Sequence, residues 1–108
     1  MSESFQKFDD AKPRYDLIPP KILDEVAQVL TFGAQKYDDE NWHKCDSQRR
    51  YFSAAMRHLW AWARGETDDP ETSLSHVAHA ICCLLFMGEL DRIRPETDDR
   101  AKAYQCNE

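Results

Sequence analysis

The sequence predicts an all-α fold: a small helical bundle of three to four helices per chain, completed by dimerisation. Three observations predict it. The 108 residues hold only three glycines and are rich in strong helix formers, which favours helix over sheet. Apolar residues recur at helical spacing in three segments. The second and third of these segments are apolar on too many sides to be covered within a three-helix monomer.

In chain order, residues 1–18 read as an extended N-terminal arm. Pro13 and the Pro19-Pro20 pair disfavour helix before them, while Tyr15, Leu17 and Ile18 give the arm apolar side chains to pack on the domain. Residues 19–94 form the helical domain. The first helix starts near Pro20, with proline in its first turn, and continues to about Tyr37. Its stripe is Ile22, Leu23, Val26, Val29, Leu30 and Phe32. A polar loop follows, with one large aromatic, Trp42. The second helix runs from an N-cap at Ser47 to Arg64, is stopped by Gly65, and should be central. The third is capped by Asp69, Thr72 or Ser73 and runs to about Arg92, before Pro95. Residues 95–108 are a polar tail, expected to fray or form one short helix.

A net charge of −6 argues against the sequence-independent phosphate grip of a duplex-binding protein, which needs a basic face. A small anionic ligand is not excluded, because a bound metal ion can invert a local field. The apolar stretch Val77–Met87 is too short to span a bilayer, and the N-terminus lacks an apolar signal core. Of the four cysteines, Cys45, Cys82, Cys83 and Cys106, no pair has the two-residue gap of a zinc knuckle or redox motif. Reduced thiols and a cytoplasmic location are expected.

Three groups of residues carry candidate chemistry. His58 lies in the second helix, and His76 and His79 share a face of the third. An i, i+3 histidine pair plus one from a neighbouring helix can hold a divalent ion; each can also be a core histidine bonded to a carbonyl or carboxylate. Arg57, beside His58, needs an anion, either a carboxylate or a phosphate. The acidic residues Asp24, Glu25, Asp68, Asp69 and Glu71 suit Mg²⁺ or Mn²⁺, although acidic residues near helix starts are also favoured by the helix dipole. Finally, Lys12, Arg14 and Lys36 suit phosphates, while Tyr37, Asn41 and Trp42 suit a base.

The segments KPRYDLIPPKILDEVAQVLTFGAQKYDDENW, RHLWAWARGE and DPETSLSHVAHAICCLLF, over roughly residues 11–90, resemble the dATP/dGTP diphosphohydrolase-type domains of phages. These are grouped with the MazG-like all-α nucleoside triphosphate pyrophosphohydrolases. The resemblance implies metal-dependent cleavage of a deoxypurine triphosphate between its α- and β-phosphates. The matching positions are Lys12, Asp24, Lys36, Tyr37, Asn41, Trp42, Arg57, His58, Asp69, His76 and His79. By this reading Asp24, Glu71 and His58 are catalytic, and His58, His76, His79 and Asp69 hold Mg²⁺ or Mn²⁺. Lys12, Arg14, Lys36, Tyr37, Asn41, Trp42 and Arg57 bind the purine deoxynucleotide. Two departures stand out. Ser73 occupies a turn position where relatives commonly have glycine, which matters if the turn needs a positive φ. The glutamate-rich Glu-Glu-x-x-Glu and later Glu-x-x-Asp motifs of the wider group are absent, with histidines in the corresponding segments. A rival of another class is therefore a module that holds a nucleotide without cleaving it. A His-Asp phosphohydrolase needs a His-Asp dipeptide, and no histidine here precedes an aspartate.

Overall fold

A computed structural model describes residues 4–100; the last eight residues of the expected tail, Cys106 among them, lie outside the described residues. The described part is helical, with α1 at Pro20–Lys36, α2 at Gln48–Ala63 and α3 at His76–Ile93. Short 3₁₀ turns at Tyr15–Leu17, Asn41–Lys44 and Pro95–Thr97 punctuate the connections. A lone antiparallel bridge joins Asp68 to Ser75.

The central helix is α3, rather than α2 as its composition suggests. Both α1 and α2 pack on it. Val26 and Val29 of α1 meet Ala78 and Cys82 of α3 in the core, with Ile22, Leu74, Ile81 and Phe86 around them. The small residues Ala78, Ala80, Cys82 and Cys83 let the flanking helices approach α3 closely. Phe52, Trp60 and Trp62 of α2 remain exposed, so that helix buries one side only.

The helix ends are set by identifiable contacts. Gly65, at φ +102°, ends α2 in a Schellman turn: its N–H bonds the Trp62 carbonyl at 2.9 Å, and the Glu66 N–H bonds that of Ala61 at 3.0 Å. Ser47 stands at the N-cap of α2, but the capping bond comes from elsewhere. Asp99 accepts from the Arg49 N–H at 3.1 Å and from the Ser47 hydroxyl. Helix α3 begins later than its acidic approach suggests. Its N-cap is Ser75, whose hydroxyl oxygen accepts from the Ala78 N–H at 3.0 Å. The earlier cap candidates belong instead to a closed loop over 66–75.

The two flanking segments behave differently. After α3, the chain docks on the start of α2. Buried Thr97 and exposed Asp91 each accept from the Gln48 amide at 3.0 Å, and Arg94 donates to the His43 and Cys45 carbonyls. The N-terminal arm does not pack on the helices as expected: Tyr15, Leu17 and Ile18 are 77%, 67% and 45% exposed, and Phe5 and Phe8 more so. Its apolar side chains are too few and too separated by charge to find a complementary face on this chain. Among the described residues, no helix is long and apolar enough to cross a membrane.

Candidate functional site

The loop between α2 and α3 builds the polar centre. Pro70 and Ser73, the latter at φ +61°, turn the chain back on itself. The Asp69 N–H bonds the Leu74 carbonyl at 2.8 Å, Ser73 N–H the Asp69 carbonyl at 2.7 Å, and His76 N–H the Thr67 carbonyl at 2.9 Å. The Asp69 carboxylate is divided between two tasks. Oδ1 accepts from the N–H groups of Glu71 and Thr72, at 2.7 and 3.3 Å. Oδ2 lies 3.9 Å from His58 Nδ1. Desolvation pushes this carboxyl up, but the two backbone donors and the adjacent imidazoles outweigh it, so its pKa lies below the ordinary value.

His58 of α2 and His76 at the start of α3 meet Nδ1 to Nδ1 at 2.9 Å. The far nitrogen of His76, Nε2, lies 2.6 Å from Glu66 Oε1. One donor atom each from His58, Asp69 and His76 lies within 4.8 Å of the others. His79 is adjacent but separate: its ring stacks on His58 with centroids 4.6 Å apart and planes 11° apart, and its Nε2 is 2.7 Å from the Thr72 hydroxyl. Burial, followed by the neighbouring imidazoles His79 and His76, lowers the pKa of His58. Burial is also the largest cause of the lowered value at His79. Both rings are therefore held toward the neutral form, the state in which imidazole binds metals and accepts protons.

Beside this centre a groove of about 560 Å³ opens between α1 and α2, over α3. His58 and His79 line it, together with Tyr37, Asn41, Trp42, Tyr51 and Phe86. Trp42 lies against Phe86, centroids 5.4 Å apart and planes 11° apart, and Tyr51 tilts onto the same ring. Cys82 and Cys83 form part of the apolar wall. Both thiols are free, and burial pushes Cys82 up to about 12, so they act as small hydrophobes rather than nucleophiles. Size and lining are those of a small-molecule site: concave, mostly apolar, with a few convergent polar groups.

The sequence candidates divide accordingly. His58, His76 and Asp69 come together, with His79 stacked alongside. Tyr37, Asn41 and Trp42 line the groove. Arg57 is exposed on α2 next to His58; its positive charge adds to the lowering at His58 and partly offsets the rise that burial causes at Cys83. Lys36 and Glu71 bond each other at 3.0 Å on the surface, tying the end of α1 to the loop. Asp24 is exposed; its neighbour Glu25 is the carboxylate that reaches α3, accepting from the Ser75 N–H at 3.3 Å. Lys12 and Arg14 lie on the exposed arm, where Arg14 pairs with Asp16 at 2.7 Å. Four contributors escaped the sequence reading: Glu66, Thr72, Tyr51 and Phe86. Phe86 was within reach, since His79, Cys82, Cys83 and Phe86 follow one helical face. Glu66 and Thr72 sit in a loop, where periodicity gives no signal.

Residues 2–100 match the family described as dATP/dGTP diphosphohydrolase, N-terminal. A dATP/dGTP diphosphohydrolase of Salmonella phage PMBT28 is 40% identical over 94 residues, covering 87% of this chain and 32% of the relative. The chain thus spans about a third of the length of the relative it matches. No solved structure matches it. A match across almost the whole chain, over the helices and loop that build this centre, shows that the chain belongs to the dATP/dGTP diphosphohydrolase N-terminal family.

Proposed function

We propose that this domain binds a purine deoxynucleoside triphosphate, dATP or dGTP, in the groove and cleaves it to the monophosphate and pyrophosphate. The observation that carries the reading is the groove itself, in which an aromatic wall at Trp42 and Phe86 leads to His58 and His79 on its floor. The wall suits a purine face, and Asn41 on the rim suits its polar edge. Tyr37 lines the same end. Water adds to the α-phosphorus, the α–β bridging P–O bond breaks, and pyrophosphate leaves. His79, on the floor and outside the trio, is a base in the correct state to take the water's proton. Arg57, exposed beside His58, and Lys36, after exchanging Glu71 for an anion, would meet phosphate charge.

The donor set of His58, His76 and Asp69 could hold a divalent cation. The cation would supply charge neutralisation at the phosphates. Asp69 is well suited to this role because its second oxygen is pinned by two backbone donors while the first faces His58.

The test is calorimetric titration with dATP, dGTP and dTTP in the presence of Mg²⁺ or Mn²⁺, followed by an assay for released pyrophosphate. Binding of the purine nucleotides with equal yields of monophosphate and pyrophosphate is expected; no binding of either rejects the reading. One observation favours a non-hydrolytic binding module as the second reading. Glu71 is engaged by Lys36 and Asp24 stands apart, leaving Asp69 as the carboxylate of the trio. Tight binding with intact nucleotide recovered would select it.

The proposal includes a homodimer in the cytoplasm, that of the host if the chain is phage-encoded, with neither duplex nucleic acid nor a membrane as partner. Leu84 and Leu85 on the central helix are 53% and 50% exposed, and α2 exposes Phe52, Trp60 and Trp62, the kind of surface homodimers cover. The free thiols fit a reducing compartment. Sedimentation velocity at tens of micromolar should give twice the chain mass; a monomer rejects the dimer.

A further inference from the structure

We infer that the trio of His58, Asp69 and His76 selects a first-row transition dication of the Mn²⁺, Co²⁺ or Zn²⁺ class over Mg²⁺, and that Glu66 is the residue that readies it. The inference rests on the reading of this cluster as a cation site. It adds the class of ion and a positioning residue outside the sequence candidates.

The argument begins at Glu66. An ionised carboxylate only accepts hydrogen bonds, so the 2.6 Å contact places the proton of His76 on Nε2. The Nδ1 of a neutral His76 then carries a lone pair, and it faces His58 Nδ1 at 2.9 Å. Two nitrogens at that separation leave two arrangements: one N–H donates to the other nitrogen, or both lone pairs share a cation. Metal–nitrogen bonds of about 2.0–2.1 Å place neighbouring ligand nitrogens roughly 3 Å apart, so a cation fits with little rearrangement. Asp69 Oδ2 supplies the third donor, its direction fixed by the loop. A carboxylate on the far nitrogen of a metal-bound histidine is the usual means of orienting the ring and raising its basicity.

The ion class follows from the donors. Two imidazoles and one carboxylate form a nitrogen-rich set with positions left for water or phosphate oxygen. Mg²⁺ demands near-octahedral oxygen ligation and is slow to shed its water, so two nitrogens are a poor exchange for it. First-row transition ions gain from imidazole.

The test uses the metals alone, with no nucleotide, on the folded chain and on Glu66→Gln, Glu66→Ala and His76→Ala. Uptake of Co²⁺ is followed by its visible absorption, Mn²⁺ by spin resonance, and folding by circular dichroism. About one Co²⁺ per chain is expected, undisplaced by a tenfold excess of Mg²⁺. Affinity should fall about 10–100-fold in Glu66→Ala, with Glu66→Gln in between, and vanish in His76→Ala. Helical content should be unchanged in the Glu66 variants, since Glu66 is half exposed. Displacement by equimolar Mg²⁺ overturns the ion class while leaving a cation site. Unchanged affinity in both Glu66 variants overturns the role of Glu66. Binding of neither ion overturns the cation site itself, separately from nucleotide binding in the groove.

Discussion

The loop over residues 66–75 and the arm over residues 4–19 are both irregular and rich in polar residues, yet the structure treats them in opposite ways. The loop spends its polar groups on itself and on α3: one Asp69 carboxylate oxygen, the Thr72 hydroxyl and three backbone bonds close it. The described hydrogen bonds of the arm are local, such as Lys12 N–H to the Asp9 carbonyl at 3.1 Å and Arg14 to Asp16. Side chains able to satisfy the backbone turn a segment into a scaffold, and the loop thereby aims Asp69 and His76. Apolar side chains that are few and find no facing surface leave a segment unanchored.

The comparison breaks most severely at His76. It is buried and bonded at both nitrogens, so His76→Ala leaves a hole and strands its partners. A loss of about 3 kcal/mol in urea unfolding is expected. Asp69→Ala removes the acceptor of two backbone donors and should cost about 2 kcal/mol by the same measurement.

Acidity should act on the loop side as well. His58 and His79 bind protons more weakly folded than unfolded. Between the ordinary imidazole value near 6.5 and their lower folded values, the unfolded chain binds more protons, so stability falls as pH drops through that window. Asp69, held below its ordinary value, adds a further loss in the same direction near and below pH 4. Melting temperatures in chelator-treated buffer should be flat above pH 7 and decline below 6.5; a rise on acidification contradicts these assignments.

Smaller effects sharpen the contrast. Ser73 holds φ +61°, a conformation in which glycine has no side-chain penalty. Ser73→Gly should stabilise by about 0.5–1 kcal/mol, because relief of the left-handed strain exceeds the added freedom of the unfolded chain. On the arm, Phe8→Ser should change monomer stability by less than about 0.5 kcal/mol, as measured by chemical unfolding at low protein concentration.

Helix content, the starts of α1 and α2 and the stop at Gly65 were legible in the sequence: proline and glycine act through local backbone chemistry, and Ser47 does stand at the N-cap of α2, although Asp99 supplies the capping bond. The start of α3 was not. Asp69 and Thr72 are good caps in isolation, and only the closing of the loop assigns them other donors and passes the cap to Ser75. The histidine cluster was legible as chemistry but not as geometry: spacing put His76 and His79 on one face, whereas the contact with His58 Nδ1 falls to His76 and His79 turns to Thr72. Glu66 gave no signal, since its contact with His76 depends on how the turn after Gly65 returns the chain. Docking of Thr97 and Asp99 on α2 likewise depends on long-range bonds that no local pattern announces.

The central claim is that the loop-built trio and the aromatic groove form one nucleotide site. Crystals grown with Mn²⁺ and a non-hydrolysable dGTP analogue test it most directly, through the anomalous signal of the metal. The account predicts one peak within bonding distance of His58, Asp69 and His76, with the triphosphate beside it and the base against Trp42. A peak elsewhere, or a nucleotide bound away from the groove, would contradict it.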